Sequence, residues 1–341
     1  MAVSEQQRPL ARSEFADLLV SCCPGFDGLE QVAVAVSGGP DSLALAAWLH
    51  DRAQACDKRP ELHVITVDHG LRPESAREAQ QVARIVGNWP AARHVTLEWT
   101  GDKPATGLQE AARNARYELI ADYCHDHGIG YVFTAHHADD QAETVLFRLA
   151  RGTGLDGLAG MPLQQPLQSG VVVLRPLLGV EKSRLLATCQ AFGLDYSNDP
   201  SNTDTAFTRP RLRRAYDVLA DEGLTGRRLQ RTAGRLARAR AALARYTQDA
   251  IAAHVTQEEN GWVIARDTFT DLPEEIGLRI MQAAFVALGH SGGAYPPRME
   301  KQETLLQRLR EERDFKGATL GGCRFALDGQ DRIHIRPEAE I

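Results

Sequence analysis

The apolar positions fall into short unbroken runs separated by stretches of helical period. The run Val32, Ala33, Val34, Ala35, Val36 is small or β-branched throughout, which fits a strand buried on both faces of a parallel sheet. Further strand-like runs occupy 62–67, 94–99, 131–135 and 171–174. Between them the pattern predicts a short helix and turn over 10–30 and a Leu/Ala-rich helix including 43–49. It also predicts helices after the polar stretch ending at Ala79, over 107–117, from about Asp139, and from about Glu181. Strands alternating with helices predict an α/β fold, a doubly wound parallel sheet. Farther on, 226–255, 274–288 and 300–313 read as helices, and 319–323 and 332–336 as a strand pair around Asp328-Gly329. The expected organisation is therefore two domains, 1–214 and a smaller, mainly helical 215–341 ending in the strand pair, in keeping with a length of 341 residues.

The first strand runs into Ser37, Gly38, Gly39, Pro40, Asp41 and Ser42. Pro40 suits the first position of a helix, where its missing N–H costs nothing. Gly38 and Gly39 let an anion approach backbone N–H groups at the positive end of that helix, and Ser37 and Ser42 add hydroxyls. This is a phosphate cradle without the lysine of a Walker A loop. Asp41 would repel a phosphate there unless Mg²⁺ bridged them. An ordinary glycine turn explains the glycine pair but not the serines and the aspartate with it.

A second polar cluster follows the strand at 131–135: His136, His137, Asp139, Asp140, Glu143. At three- and four-residue spacing the carboxylates crowd together at a helix start and require a cation or a basic partner. Capping accounts for one aspartate, not the group. Oxygen donors without cysteine favour magnesium over zinc. Asp68 ends the second strand, where open α/β sheets bind ligands. On the helix over 107–117, Glu110, Arg113, Asn114 and Tyr117 share a face.

Charge changes this picture locally. The net charge is −6, yet 209–245 holds eleven arginines against Asp217, Asp221 and Glu222. Such a segment either binds a polyanion or forms a solvated face. Six cysteines without a C-x-x-C pair argue against a metal or cluster site. No apolar run reaches the roughly 18 residues that span a bilayer, and Met1 to Pro9 lacks an apolar signal core, so a cytoplasmic location and no membrane partner are expected.

The segment Ser37-Gly38-Gly39-Pro40-Asp41-Ser42 after its strand resembles the PP-loop of the N-type ATP pyrophosphatases. Asp68-His69-Gly70-Leu71-Arg72, the Ala112-Arg113 and Arg116-Tyr117 helix, and the His136-His137-x-Asp139-Asp140-x-x-Glu143-Thr144 cluster narrow the match. So do Arg151-Gly152-Thr153-Gly154, Arg175-Pro176-Leu177-Leu178 and Asp199-Pro200-Ser201-Asn202. In this order they are similar to the tRNA(Ile)-lysidine synthetase family over roughly residues 30 to 214. One departure is Pro210 after Arg209, where the family usually has asparagine.

The resemblance implies a catalytic ATP-binding domain over 1–214 and a tRNA-binding domain over 215–341. It implies ATP at Ser37, Gly38, Gly39, Pro40, Asp41, Ser42 and Asp68. Catalysis falls to Asp41, His136, His137, Asp139, Asp140 and Glu143, with Mg²⁺ at Asp41 and Asp140. Arg113, Arg116, Tyr117, Arg209, Arg211 and Arg213 would meet adenylate or tRNA. The implied substrates are free L-lysine and tRNA(Ile) with a CAU anticodon. The oligomeric state stays open, a homodimer being one option. Two rivals stay open too: another PP-loop enzyme, and a nucleotide-binding protein without turnover.

Overall fold

The computed structural model describes residues 8–71, 75–101, 103–104, 106–167, 169–197, 218–289 and 297–338. The chain divides into two compact units, Met1–Ala237 and Arg238–Ile341. The division lies inside one long helix, downstream of the 214/215 boundary drawn from composition, which falls outside the described residues.

In the first unit, strands β1 (Gln31–Ala35), β2 (Glu61–Asp68), β3 (Ala92–Glu98), β4 (Tyr131–Phe133), β5 (Gln164–Pro166) and β6 (Val172–Leu174) form one sheet in the order β3-β2-β1-β4-β6-β5. All neighbours are parallel except the β5–β6 edge pair. The period-two alternation along the strands sends Val32, Val34, Leu62 and Val64 to one face and Ala33, Ile65, Val132 and Val173 to the other. On the first face lie α1 (Arg12–Cys22), α2 (Pro40–Gln54), α3 (Ser75–Val86) and α7 (Lys182–Ala191), contributing Phe15, Leu43, Val82 and Leu185. On the second lies α4 (Leu108–Asp126) with Ile120 and Cys124. The doubly wound sheet is therefore present, and the chain reverses its strand order between β1 and β4, the kind of point where such sheets bind ligands.

Helix α5 (Ala138–Leu149) follows β4, then α6 (Leu155–Leu158). The stretch 151–158, read from sequence as a loop, thus closes in a short helix behind Gly152, which is left-handed at φ 68°. Ala142, Val145 and Leu146 of α5 pack on Leu229 and Ala233 at the start of α8 (Gly226–His254).

The second unit holds more β-structure than its sequence pattern suggested. Strands β7 (Val255–Glu258), β8 (Gly261–Ala265), β9 (Ala318–Leu320), β10 (Cys323–Leu327) and β11 (Arg332–Pro337) form an antiparallel sheet ordered β7-β8-β11-β10-β9. With it go α9 (Asp267–Asp271), α10 (Glu274–Leu288) and α11 (Met299–Glu311), around a core that includes Phe269, Met281, Leu306, Phe325 and Ile335. The expected strand pair is there as β10 and β11; the segment 319–323 is instead split by the left-handed pair Gly321-Gly322 into the end of β9 and the start of β10. No helix of the described residues is long and apolar enough to cross a membrane.

Candidate active site at the carboxyl edge of the sheet

Three helices begin where β1, β4 and β6 end, and their first turns carry the charged groups. The turn after β1 depends on Gly38, whose φ of 85° is left-handed. Gly39 is extended, and Pro40 opens α2 as expected. The Ser42 hydroxyl donates to the Gly39 carbonyl at 3.0 Å and accepts the Ser37 N–H at 3.2 Å, closing the loop on itself. The Ser197 N–H donates to the Gly38 carbonyl at 3.0 Å, so the segment after α7 braces the turn.

Asp41, in the first turn of α2, faces the second cluster. His137 is the N-cap of α5 and is 3% exposed. Its Nε2 lies 3.6 Å from Asp41 Oδ2 and 3.5 Å from Asp140 Oδ2, and its Nδ1 lies 3.4 Å from Asp139 Oδ2. Burial alone would push its pKa down, but Asp139, Asp41 and Asp140 outweigh that and hold it up at about 10. His137 is therefore an imidazolium at neutral pH. In return its contact lowers the Asp139 carboxyl to about 2, against the opposing effect of burial. The cation demanded by the crowded carboxylates is thus built into the protein.

The two aspartates also do different capping jobs. Asp140 Oδ2 accepts the His137 N–H at 3.0 Å and so caps its own helix. Asp139 Oδ2 accepts the Lys182 N–H at 3.0 Å and caps α7. Lys182 sends its Nζ to 3.8 Å from Asp41 Oδ2. Glu143 lies on α5 one turn beyond.

His136 has the opposite chemistry to its neighbour. It is half-buried, its Nδ1 is 3.0 Å from the Thr134 hydroxyl, and desolvation with the charges of Arg175, Arg113 and Arg116 pushes its pKa down to about 3. Arg175 is 1% exposed; it donates to the Pro162 carbonyl at 3.0 Å and to Gln165 Oε1 at 2.7 Å, and burial lowers its pKa. Arg113 stacks on the Tyr117 ring at 5.2 Å, and Arg116 reaches His69 Nε2 at 3.2 Å. Asp68 turns back on its own loop, accepting from Gly70 N–H at 2.7 Å and from the Ser75 hydroxyl at 2.6 Å; these bonds lower its pKa.

A PP-loop domain model matches residues 10–218. The chain is 46% identical over 319 residues to the tRNA(Ile)-lysidine synthase of Rhodopseudomonas palustris, covering 90% of each protein. It is 43% identical over 343 residues to that of Methylobacterium nodulans, covering 98% of each. The chain belongs to the tRNA(Ile)-lysidine synthase family. Among solved structures, the U34-tRNA thiolase NcsA from Methanococcus maripaludis with its [4Fe-4S] cluster superposes with a TM-score of 0.56 at 17% identity. That likeness covers 66% of this chain and 79% of that one, and concerns the fold.

The loop lies within the matched PP-loop domain, a domain type that binds ATP. Asp41 Oδ1 is buried with no hydrogen-bond partner among the described residues, so a carboxylate oxygen is left for a hard cation. No group of three or more His, Cys, Asp or Glu among the described residues is arranged to hold a metal ion. A carboxylate oxygen such as that of Asp41 is a donor suited to magnesium. Arg209, Arg211 and Arg213 lie outside the described residues. Lys182, Arg175, Thr134 and Ser197 join the site although sequence reading passed them over. Arg175 had a signal in the Arg-Pro-Leu-Leu segment, Thr134 opens the second polar cluster two residues before His136, and Ser197 lies in the polar stretch that leads to Asp199-Pro200-Ser201-Asn202.

Proposed function

We propose that this protein ligates L-lysine to C2 of the wobble cytidine of CAU-anticodon tRNA(Ile), using ATP and passing through an adenylated cytidine. The cytidine O2 attacks the α-phosphorus, and the bond to the β-phosphate breaks with release of pyrophosphate. The lysine ε-amine then attacks C2, the C–O bond to AMP breaks, and the amine gives up its proton. The observation that carries the reading is the junction of the PP-loop with the second cluster, Asp41 Oδ2 at 3.6 Å from His137 Nε2, in a chain 46% identical to a named lysidine synthase.

In this reading the N–H groups of Gly38 and Gly39 and the serine hydroxyls position the phosphates, since phosphoryl transfer needs placement and charge stabilisation. Asp41 and Asp140 are the candidate holders of Mg²⁺, Asp41 through its free Oδ1, and the ion when bound neutralises charge on the departing pyrophosphate. His137, facing Asp41, Asp139 and Asp140, keeps the loop and α5 in register. The acceptor for the lysine proton is among Asp139, Asp140, His136 and His137. Arg113 and Arg116 face the adenylate, and the arginine-rich segment 209–245 meets tRNA phosphates.

The test is transfer of labelled lysine onto an isoleucine tRNA transcript with a CAU anticodon, with ATP and Mg²⁺, and elongator methionine tRNA as control. Incorporation into the first alone is expected. Pyrophosphate release driven by a different tRNA or small molecule, without lysine incorporation, would overturn the assignment and leave only the ATP chemistry. Asp140→Asn then tests the proton acceptor: unchanged lysine transfer removes Asp140 from that role.

A further inference from the structure

We propose that Lys182 is the phosphate-gripping cation of this site, supplied by the first residue of α7 to the β- and γ-phosphates that leave as pyrophosphate. The inference rests on the ATP-binding reading above and extends it to a residue outside the loop.

The PP-loop itself contains no lysine or arginine between Ser37 and Ser42. It does contain Asp41, and Asp139 and Asp140 stand within reach of the same imidazole. Asp41, Asp139 and Asp140 crowd negative charge at the mouth of the cradle. A polyphosphate approaching that mouth meets repulsion. Lys182 is the further positive side chain there, its Nζ 3.8 Å from Asp41 Oδ2.

That spacing is too long for a hydrogen bond, and the Lys182 side chain is 35% exposed. Asp41 already faces His137, so the ammonium is not consumed in satisfying it. Its backbone, in contrast, is fixed: the Lys182 N–H is held at 3.0 Å by Asp139. A rooted residue with a loosely engaged head is suited to turn from the carboxylate to an arriving phosphate. The first turn of α7 carries no acidic residue beyond its N-cap, Glu181. An ammonium placed so also acts where charge builds up on the leaving group.

The test compares wild type with Lys182→Met and Lys182→Arg, measuring ATP, inorganic pyrophosphate and AMP binding by calorimetry, with thermal midpoints as a folding check. A lost charge-assisted contact weakens ATP and pyrophosphate about 10- to 100-fold in Lys182→Met. AMP, which lacks the β- and γ-phosphates, stays within about 2-fold. Lys182→Arg keeps most of the pyrophosphate affinity. Equal losses for ATP and AMP would mean a structural role and overturn the inference, as would unchanged pyrophosphate binding. Wild type that binds neither ATP nor pyrophosphate would instead bring down the reading on which the inference rests.

Discussion

Replacing His137 by glutamine tests whether a buried imidazolium holds this site together. The ring is 3% exposed and has three carboxylates at 3.4 to 3.6 Å. Removing the buried partner leaves carboxylates that are 23% to 45% exposed and partly rehydrated, so the cost is at most about 3–5 kcal/mol. For a unit of this size that lowers the thermal midpoint by at most about 6–20 °C. The pH dependence is the sharper signature. His137 is held at about 10, above the value near 6.5 of an unfolded chain, so its contribution is complete below about pH 6.5 and fades as pH rises towards 10. Asp139 is held at about 2, below its ordinary 3.8, so its share is present above about pH 3.8 and is lost as pH falls through 2. The stability gap between wild type and His137→Gln, from urea melts, should therefore narrow by up to about 1.4 kcal/mol per pH unit as pH rises above 6.5. His136 loses the repulsion of His137 in the variant and titrates below about pH 6.5, so the comparison is made above that pH. A gap that stays constant from pH 6.5 to 9.5, or widens, would show that His137 is neutral in the folded state and refute the charge assignment.

Three more outcomes can be checked. Gly38→Ala forces a side chain into φ 85° and should cost about 1–2 kcal/mol in urea melts, whereas Gly39→Ala, at φ −75°, should cost far less; equal effects would remove the conformational argument. Arg175→Met removes a buried charge that opposes protonation of His136, so the His136 pKa, followed by NMR, should rise from about 3, and the protein should lose stability because the Pro162 carbonyl and Gln165 lose their donor. Arg227, Arg231 and Arg235 are exposed at four-residue intervals on α8; replacing each by alanine should weaken tRNA binding and reduce the salt slope by about 0.7–0.9 per arginine, read from binding between low and moderate salt.

What the sequence made legible were features with a local cause. The strand at Val32–Val36 was readable because burial on both faces excludes polar residues, and Pro40 marked the helix start because only a first-turn position tolerates it. Strand β5 carried no such mark: Gln164, Gln165 and Pro166 are all exposed at a sheet edge, where pairing is decided by the neighbour and not by burial. In the second unit, β7 continues directly from a helix in polar residues and was invisible, whereas Trp262, Val263 and Ile264 of β8 offered an apolar run that went unread. The reading of 319–323 as one strand failed because Gly321 and Gly322 both take positive φ and turn the chain.

The candidate site was legible as a list of residue types and not as a set of charges. His136 and His137 are the same letter twice, yet one is held near 3 and the other near 10. The difference arises because the chain passes there from strand to helix. His136 faces Thr134 and the arginines that α4 and the end of β6 bring up, while His137 caps α5 and faces Asp41, which arrives from β1, 96 residues earlier. Strand order puts β1 beside β4, and that adjacency supplies the carboxylate. The same adjacency logic brings Lys182 to Asp41 by way of β6 and α7. A sequence can thus announce that a crowded acidic cluster needs a cation. Which cation it gets depends on pairings across 96 residues for His137 and 141 for Lys182, and both come from the protein itself.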